Sequence, residues 1–499
     1  MKFIPLVLCS VLSVFTLSAS ESAQRKPNIL YIFTDDQSVR SVSSYPQAHP
    51  WVKTPNIDRL AKDGVRFASS YTGAKCTPSR GSALTGQLQF NYSKETPYWT
   101  SALREHGYYT GMVGKWHWNV PRHGDAWDWS VVWEHHLGDA VAGGYYTNQF
   151  VSVNGAKRIP LGGYSTDRYT DYTVQFLKER AKEKDRPWYF WVCYGAVHGP
   201  YIPADRHLKD YEDAPPTKIP VDVFGPRPDK PEHMVDLTRW GKDKKNQPIW
   251  KSRSHDSWVK QYNQAVKAID EGVGRIMESL KETGQLDNTI VVFTSDQGFA
   301  WGQHGLRDKI APYDASLLAP LIVSNPQRFP RGAVSQHPVN GADIIATFHT
   351  LTGLKPGIPL DGRDFSTLLK EPQRRDWNAE PMLQTYTGNF YGNAAITAAL
   401  QQAKKTGNWE KLIVYEATGI RAWMLLREGK YKYIRYMYPD YIEELYDLET
   451  DPNELQNLAV RKEHHSLLAE LRLKTVKGFA ARGGSFVDLL PEPRLVSGR

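Results

Sequence analysis

Cysteine is scarce in this chain: Cys9, Cys76 and Cys193 are the only three among 499 residues. Once a leader carrying Cys9 is removed, one disulfide at most could form. Its context opposes it, because Cys193 lies in the apolar run Trp188–Tyr194 and Cys76 in a polar, glycine-flanked stretch. Runs of like charge, internal repeats and low-complexity tracts are also missing. Beyond the first residues no apolar stretch is long enough to span a membrane. With 40% hydrophobic, 23% charged and 12% aromatic residues, the chain is neither disordered nor fibrous. The charge balance is mild: 62 Lys+Arg against 54 Asp+Glu give +8. That excess fits a solvated basic surface or an anionic ligand, a nucleic acid or an acidic glycan. Sixteen Trp and 27 Tyr exceed what a core needs and fit a surface that stacks on sugars or bases.

The amino terminus has Lys2, an apolar stretch from Phe3 to Leu17, and small residues at Ala19, Ser20 and Ala23. This pattern predicts a signal peptide over residues 1–23 and an exported protein, periplasmic or secreted. Cys9 sits too early in the apolar stretch, after a bulky leucine, to be a lipoprotein site.

Four short apolar runs each end in residues capable of chemistry. Ile29–Phe33 runs into Thr34-Asp35-Asp36, Tyr189–Tyr194 into Gly195 to His198, Thr289–Phe293 into Thr294-Ser295-Asp296, and Leu317–Val323 into Ser324-Asn325. Such runs, separated by helical stretches such as Val266–Leu280, predict strands buried on both faces. The expected fold is α/β: a large, mostly parallel sheet sandwiched by helices, over residues 24–380. Ligands bind such sheets outside the carboxyl ends of the strands. Residues 381–499 predict a smaller antiparallel sheet from Ala422–Arg427, Tyr431–Met437 and Glu444–Leu448, then a helix opened by Asp451-Pro452-Asn453-Glu454. The stretches 213–258 and 386–408 read as loops able to shape a cleft, or as plain surface excursions.

Adjacent carboxylates at a strand end, Asp35 and Asp36, are either a turn with an N-cap or a cation site, since burying both is costly without a counter-charge. Asp296-Gln297 at a second strand end favours the cation. An all-oxygen site suits Ca²⁺ or Mg²⁺ rather than zinc. Cys76 stands between Lys75 and Arg80, whose charges would lower a thiol pKa and mark a reactive centre. Lys115 and His117, two apart, would point the same way if both lay on one strand.

The spacing Cys76-x-Pro78-x-Arg80, extended by Ser79 and Leu84-Thr85-Gly86, resembles the type I sulfatases of the alkaline phosphatase superfamily. Gly107–His117, Pro27–Asp36, Thr54–Leu60, Phe293–Asp296 and Glu444–Leu458 match that family in the same order, so the resemblance covers most of the chain after residue 23. It implies an alkaline-phosphatase-like fold and a sulfuric ester hydrolase. Cys76 would be oxidised to formylglycine by a formylglycine-generating enzyme. Asp35, Asp36, Asp296 and Gln297 would hold Ca²⁺ together with the modified Cys76. Arg80 would orient the formylglycine hydroxyls, Lys115, His198 and Lys309 would bind the sulfate, and His117 would assist breakdown of the covalent intermediate. Val197 departs from the family's Pro-His, and Gln297 stands where relatives commonly carry Asn or His. His304 either approaches the sulfate or supports its loop. In this family the hydrated aldehyde supplies one hydroxyl to attack sulfur and a second to expel sulfate and regenerate the aldehyde; His198 is the candidate acid for the leaving oxygen.

The expected substrate is a sulfated carbohydrate: first a marine polysaccharide such as ulvan, carrageenan or fucoidan, then an animal glycosaminoglycan. No nucleic acid and no membrane span are expected as partners. Trp240, His255, Tyr386 and Tyr391 could bind sugar or simply be structural. Two alternatives are a phosphodiester or phosphonate monoester hydrolase of the same superfamily and a catalytically silent glycan-binding homologue.

Overall fold

The computed structural model describes residues 25–118, 123–377 and 380–494; the leader reading, with Cys9, lies outside the described residues. Among these residues ten strands form one sheet: β1 (Asn28–Thr34), β2 (Gly64–Phe67), β3 (Tyr109–Lys115), β4 (Trp129–Trp133), β5 (Phe150–Val153), β6 (Ile159–Pro160), β7 (Trp188–Cys193), β8 (Thr289–Ser295), β9 (Leu321–Ser324) and β10 (Ala333–Ser335). Their order is β10–β2–β9–β8–β1–β7–β3–β4–β5–β6. The centre, β8–β1–β7–β3–β4, is parallel; β9 runs antiparallel to β8 and β2, and β5 antiparallel to β4.

Strand alternation divides β1 between two cores. Leu30 and Ile32 pack with residues of the helices α1 (Pro55–Lys62), α3 (Ser165–Arg180) and α4 (His255–Glu282), including Ile57, Phe176 and Ile269. Ile29, Tyr31 and Phe33 pack on the other side with Leu84 of α2 (Cys76–Thr85) and with Ile344, Ile345 and Phe348 of α5 (Gly341–Thr352). Both faces are thus covered, which is why the central strands read as unbroken apolar runs. Helix α4 starts earlier than its apolar spacing predicts, at His255, because the Ser254 side chain caps it by accepting from Ser257 N.

The C-terminal sheet has the order β11 (Met382–Tyr386), β12 (Trp423–Glu428), β13 (Tyr431–Tyr436), β14 (Glu444–Asp447), all antiparallel, covered by α7 (His465–Ala481). Two expectations are corrected here. The stretch 386–408 is mostly a helix, α6 (Asn393–Thr406), whose alanine-rich sequence NAAITAALQQAKKT favours helix over loop. Asp451-Pro452-Asn453-Glu454 opens no helix: it is a turn in which Asp451 accepts from Leu455 N and Gln456 N. Glu454, at φ 55°, turns its carboxylate inward to Lys432 and to the Asp314 amide. The capping grammar of that segment serves a local turn.

The second sheet and the adjoining strand Ile413–Tyr415 grip the segment 308–314 of the first unit. Trp423 Nε1 donates to Ile310 O at 2.9 Å, Tyr415 OH to Asp308 at 2.6 Å, and Lys432 Nζ to Asp314 at 2.7 Å. Tyr313, Tyr436 and Tyr446 all donate to the buried Glu444 carboxylate.

Candidate active site

The parallel pairing of β1 and β8 sets Thr34 opposite Ser295, so Asp35 and Asp296 leave the sheet side by side. Asp296 Oδ1 accepts from the amides of Asp36 and Gln297, both at 2.9 Å, which aims the carboxylate inward. Asp36 takes a left-handed φ of 58° that turns its side chain back to the same point. Cys76 begins α2 and donates its thiol to Asp35 Oδ1 at 3.4 Å. One donor atom each from Asp35, Asp36, Cys76 and Asp296 lies within 4.8 Å of the others.

Four cationic or imidazole groups surround this acidic centre. Arg80, fully buried one turn into α2, donates to Asp35 at 3.2 Å and to Lys115 O at 2.7 Å. Lys115 ends β3 and bonds Asp35 and, at 3.1 Å, Tyr145 OH. The residue before it must be glycine: Gly114 has φ 108°, and a Cβ there would sit 1.9 Å from Cys193 O. Lys309 Nζ reaches Asp36 Oδ1 at 2.6 Å and Cys76 Sγ at 2.9 Å. His198 Nε2 lies 3.7 Å from Asp36 Oδ2, while its Nδ1 sits 2.9 Å from Gly199 O.

Burial raises Asp296 to about 7, helped by the charges of Asp35 and Asp36. Burial likewise raises Asp36, with Lys309 opposing it, whereas at Asp35 burial is outweighed by charges, Lys115 first and Arg80 with it, which hold the carboxyl well below the usual range. Burial pushes the Cys76 thiol up, and Asp296 and Asp35 add to it. This corrects the expectation that Lys75 and Arg80 activate a thiolate: the thiol faces carboxylates in a dry site, where the neutral form wins. Cys76 and Cys193 are both free thiols. His198 is lowered to about 3 by burial, then by Lys309 and Lys115. With its proton directed at Gly199 O it is neutral here, and it can donate from Nε2 only once an anion has joined the site.

The donor set fits a hard divalent cation. Asp296 Oδ2 and Gln297 Oε1 are buried without a hydrogen-bond partner, and such orphaned acceptors are stabilised by a cation. Gln297 reaches the centre, its amide bonded to Asp36.

His117 also joins the site, by another route than strand alternation. It lies beyond the end of β3 at φ 50°, with Nε2 3.4 Å from Thr77 Oγ1 and its ring 4.8 Å from His135. Burial and Lys115 keep it neutral. His304 supports its loop: its Nδ1 lies 2.9 Å from Asp222 and its ring 4.2 Å from Tyr313. Trp240, His255 and Tyr386 are buried, while half-buried Tyr391 packs 5.2 Å from Trp118, edge-on. Sequence reasoning missed Tyr145 and His135. Tyr145 stacks on His198 with centroids 4.1 Å apart and planes at 2°, and its hydroxyl joins Lys115 to His135 Nε2 at 2.8 Å. His135 follows the apolar end of β4, a strand-end signal like the four that were read; Tyr145 carried none.

The sulfatase family model matches residues 27–354, and a model described as N-sulphoglucosamine sulphohydrolase, C-terminal, matches 302–426. An N-acetylglucosamine-6-O-sulfatase of Bacteroides thetaiotaomicron is 26% identical over 94% of this chain and 90% of its own. An ulvan-active sulfatase of Formosa agariphila is 27% identical over 70% of this chain and 66% of its own. A solved structure in complex with its substrate D-glucosamine-2-N,6-O-disulfate superposes with TM-score 0.75 at 23% identity, over 92% of this chain and 99% of that one.

Proposed function

The chain belongs to the sulfatase family and is a sulfuric ester hydrolase; from that premise we propose that it removes sulfate esters from an extracellular carbohydrate, with Cys76 matured to formylglycine and Ca²⁺ held by Asp35, Asp36, Asp296, Gln297 and the modified Cys76. The observation that carries this reading is Cys76 Sγ standing 2.9 Å from Lys309 Nζ and 3.4 Å from Asp35 Oδ1. The residue to be modified thus sits where the cation and the sulfate-binding ammonium groups meet. Formylglycine would supply a geminal diol nucleophile whose second hydroxyl releases sulfate, and the calcium would add positive charge at the nucleophile and the sulfuryl oxygens.

The chain's own residues supply the rest. Arg80, pinned by Asp35 and Lys115 O, fixes the first turn of α2 and hence position 76. Lys115, held on Asp35, and Lys309, held on Asp36 and beside Cys76, offer ammonium groups for charge on a sulfuryl group. Tyr145 holds Lys115 through its hydroxyl and His198 through its ring. A sulfate ester brings the negative charge that His198 needs to gain a proton and pass it from Nε2 to the leaving oxygen. His117, neutral beside Thr77, is placed to accept a proton during release of the covalent sulfate.

Relatives acting on 6-O-sulfated N-acetylglucosamine and on ulvan support a sulfated sugar substrate. We place 6-O-sulfated glucosamine units first, because that relative spans nearly the whole of both chains. Export through the leader at residues 1–23, division at residue 380 and maturation by a formylglycine-generating enzyme belong to the same proposal. The test is sulfate release from 6-O-sulfated N-acetylglucosamine, ulvan and carrageenan oligosaccharides, with phosphate and phosphonate monoesters in parallel. The protein is co-expressed with the maturation enzyme, Cys76→Ala is the control, and a mass spectrum of the Cys76 peptide accompanies each batch. An aldehyde at position 76 with no sulfate released from any ester, or faster cleavage of the phosphonate, would overturn it.

A further inference from the structure

Arg40 is four residues beyond Asp36, yet among the described residues it pairs with no carboxylate of the acidic centre. It lines a cavity of about 210 Å³ together with His49, Lys218, His255 and Trp301. Among the described residues no hydrogen bond or ion pair engages its guanidinium, in contrast with Arg80, bound to Asp35, and Arg363, bound to Asp343. Burial lowers Arg40 to about 10, and the opposing charges it feels most, Asp314 and Glu454, are already bonded to Lys432. A half-buried cation whose nearest counter-charges are committed elsewhere is a place where an anion gains.

A groove of about 940 Å³ adjoins the cavity and shares His49 and Lys218 with it. Its floor is aromatic: His49 stacks on Trp51 at 5.3 Å and 1°, and Trp51 meets Tyr211 at 5.0 Å. Lys53, Lys209 and Lys267 line it too. The groove sets Asp210, Glu212 and Asp213 against four lysines, and Asp222, bonded to a His304 that burial keeps neutral, adds one carboxylate to the cavity. Flat rings beside ammonium groups, leading to a half-buried guanidinium, match a sugar ring that carries an acidic substituent.

This site is distinct from the catalytic one in its lining. Tyr262 donates its hydroxyl to Asp36 O and packs its ring 4.9 Å from the cavity-lining Trp301. Cys76, Lys115, His198 and Lys309 line neither the cavity nor the groove.

We propose that the Arg40 cavity and the Trp51–Tyr211 groove form a second carbohydrate site, which holds a sulfated or uronic sugar residue of the polymer apart from the ester being cleaved. The proposal rests on the reading of this chain as an enzyme of sulfated carbohydrates, and deepens it: the protein would stay on its polymer between cleavages. The probes are hexasaccharides of heparin, ulvan and carrageenan, with inorganic sulfate alone as a further arm. Binding is measured by calorimetry on Cys76→Ala protein, and turnover of 4-methylumbelliferyl sulfate on the matured enzyme. The variants are Arg40→Met, Trp51→Leu and the exposed pair Lys53→Ala/Lys218→Ala. At least one hexasaccharide should bind the Cys76→Ala protein, and each variant should weaken it at least tenfold, with small-ester turnover changed less than twofold. Unchanged binding in the surface pair, no binding of any hexasaccharide, or parallel loss of binding and small-ester turnover in all variants would overturn the second site. Displacement of the hexasaccharide by inorganic sulfate at equal concentration would overturn its assignment to sugar. Failure of the sulfatase reading shows separately, as absent turnover by enzyme whose Cys76 is an aldehyde.

Discussion

Removing calcium should make stability fall with rising pH, and Asp296→Asn should reverse that loss. In the metal-free centre Asp296 titrates at about 7, raised by burial first and by Asp35 and Asp36 next. An unfolded aspartate titrates near 3.9, so between those values the folded state holds an extra proton. The stabilisation is complete below about 3.9 and is lost as pH climbs through 7. Three units at about 1.36 kcal/mol each come to about 4 kcal/mol. Asp36, also raised, acts in the same direction. Asp35, held low by Lys115 against burial, has the opposite sign, its contribution being lost only below the ordinary aspartate range. With an unfolding entropy of about 2.1 cal/mol/K per residue, a chain this long melts with about 1 kcal/mol/K, so the loss appears as a drop of about 4 °C. The assay is thermal unfolding of the unmatured thiol protein at pH 5 and pH 8, in chelator and in excess calcium. Asn at position 296 retains the Oδ1 acceptor that holds the amides of Asp36 and Gln297. The chelated variant should therefore melt about 4 °C above chelated wild type at pH 8 but only about 1.5 °C above it at pH 5, where about 1.1 units at about 1.36 kcal/mol are already lost, and gain little from calcium. Equal pH slopes in the two proteins, or an undiminished calcium response in the variant, would refute the account.

Three further outcomes follow from the geometry. Lys309→Ala removes an ammonium 2.6 Å from Asp36 and should lower kcat by about 10²–10³ with the fold intact by circular dichroism. Tyr145→Phe removes the hydroxyl between Lys115 and His135 but keeps the ring on His198; kcat should fall about tenfold, as expected for one hydrogen bond to a charged group, and the conservative ring should spare KM. Lys432→Met strands Asp314 and Glu454 in the interior and should cost about 3–5 kcal/mol of stability, read as a lower thermal midpoint.

Much of the site was legible because its residues sit where apolar runs stop. Asp35, Asp296 and His198 follow β1, β8 and β7, and a buried strand announces its own end. Gln297 was read with Asp296 at the same strand end and Lys309 rested on resemblance, and both reach the centre. What could not be read is whatever depends on how loops pack. Tyr145 belongs to no strand, and its role exists only because its ring lands flat on His198. His117 was placed by an argument from alternation, whereas the chain has already left β3 there, at φ 50°. The Cys76 thiol was judged by its neighbours in sequence; its neighbours in space are carboxylates. In the C-terminal part, three of the four strands were legible from their aromatic and leucine runs, whereas β11 (Met382–Tyr386) was not read. The helix α6 was not, because its flanks of glycine and asparagine outweighed the alanines between them.

The grip of the C-terminal sheet on segment 308–314 bears on how such enzymes can be rebuilt. Lys309 owes its position to Trp423 beneath Ile310 O and to Tyr415 on Asp308, both supplied from more than a hundred residues downstream. A chimera that exchanges everything after residue 380 to import a new specificity would therefore also replace the mount of Lys309, the lysine proposed to bind sulfate. Grafts that keep Tyr415, Trp423 and Lys432 and vary only the outer turns should keep turnover. Swaps drawn at the visible seam between the two sheets should lose it, even when both halves fold.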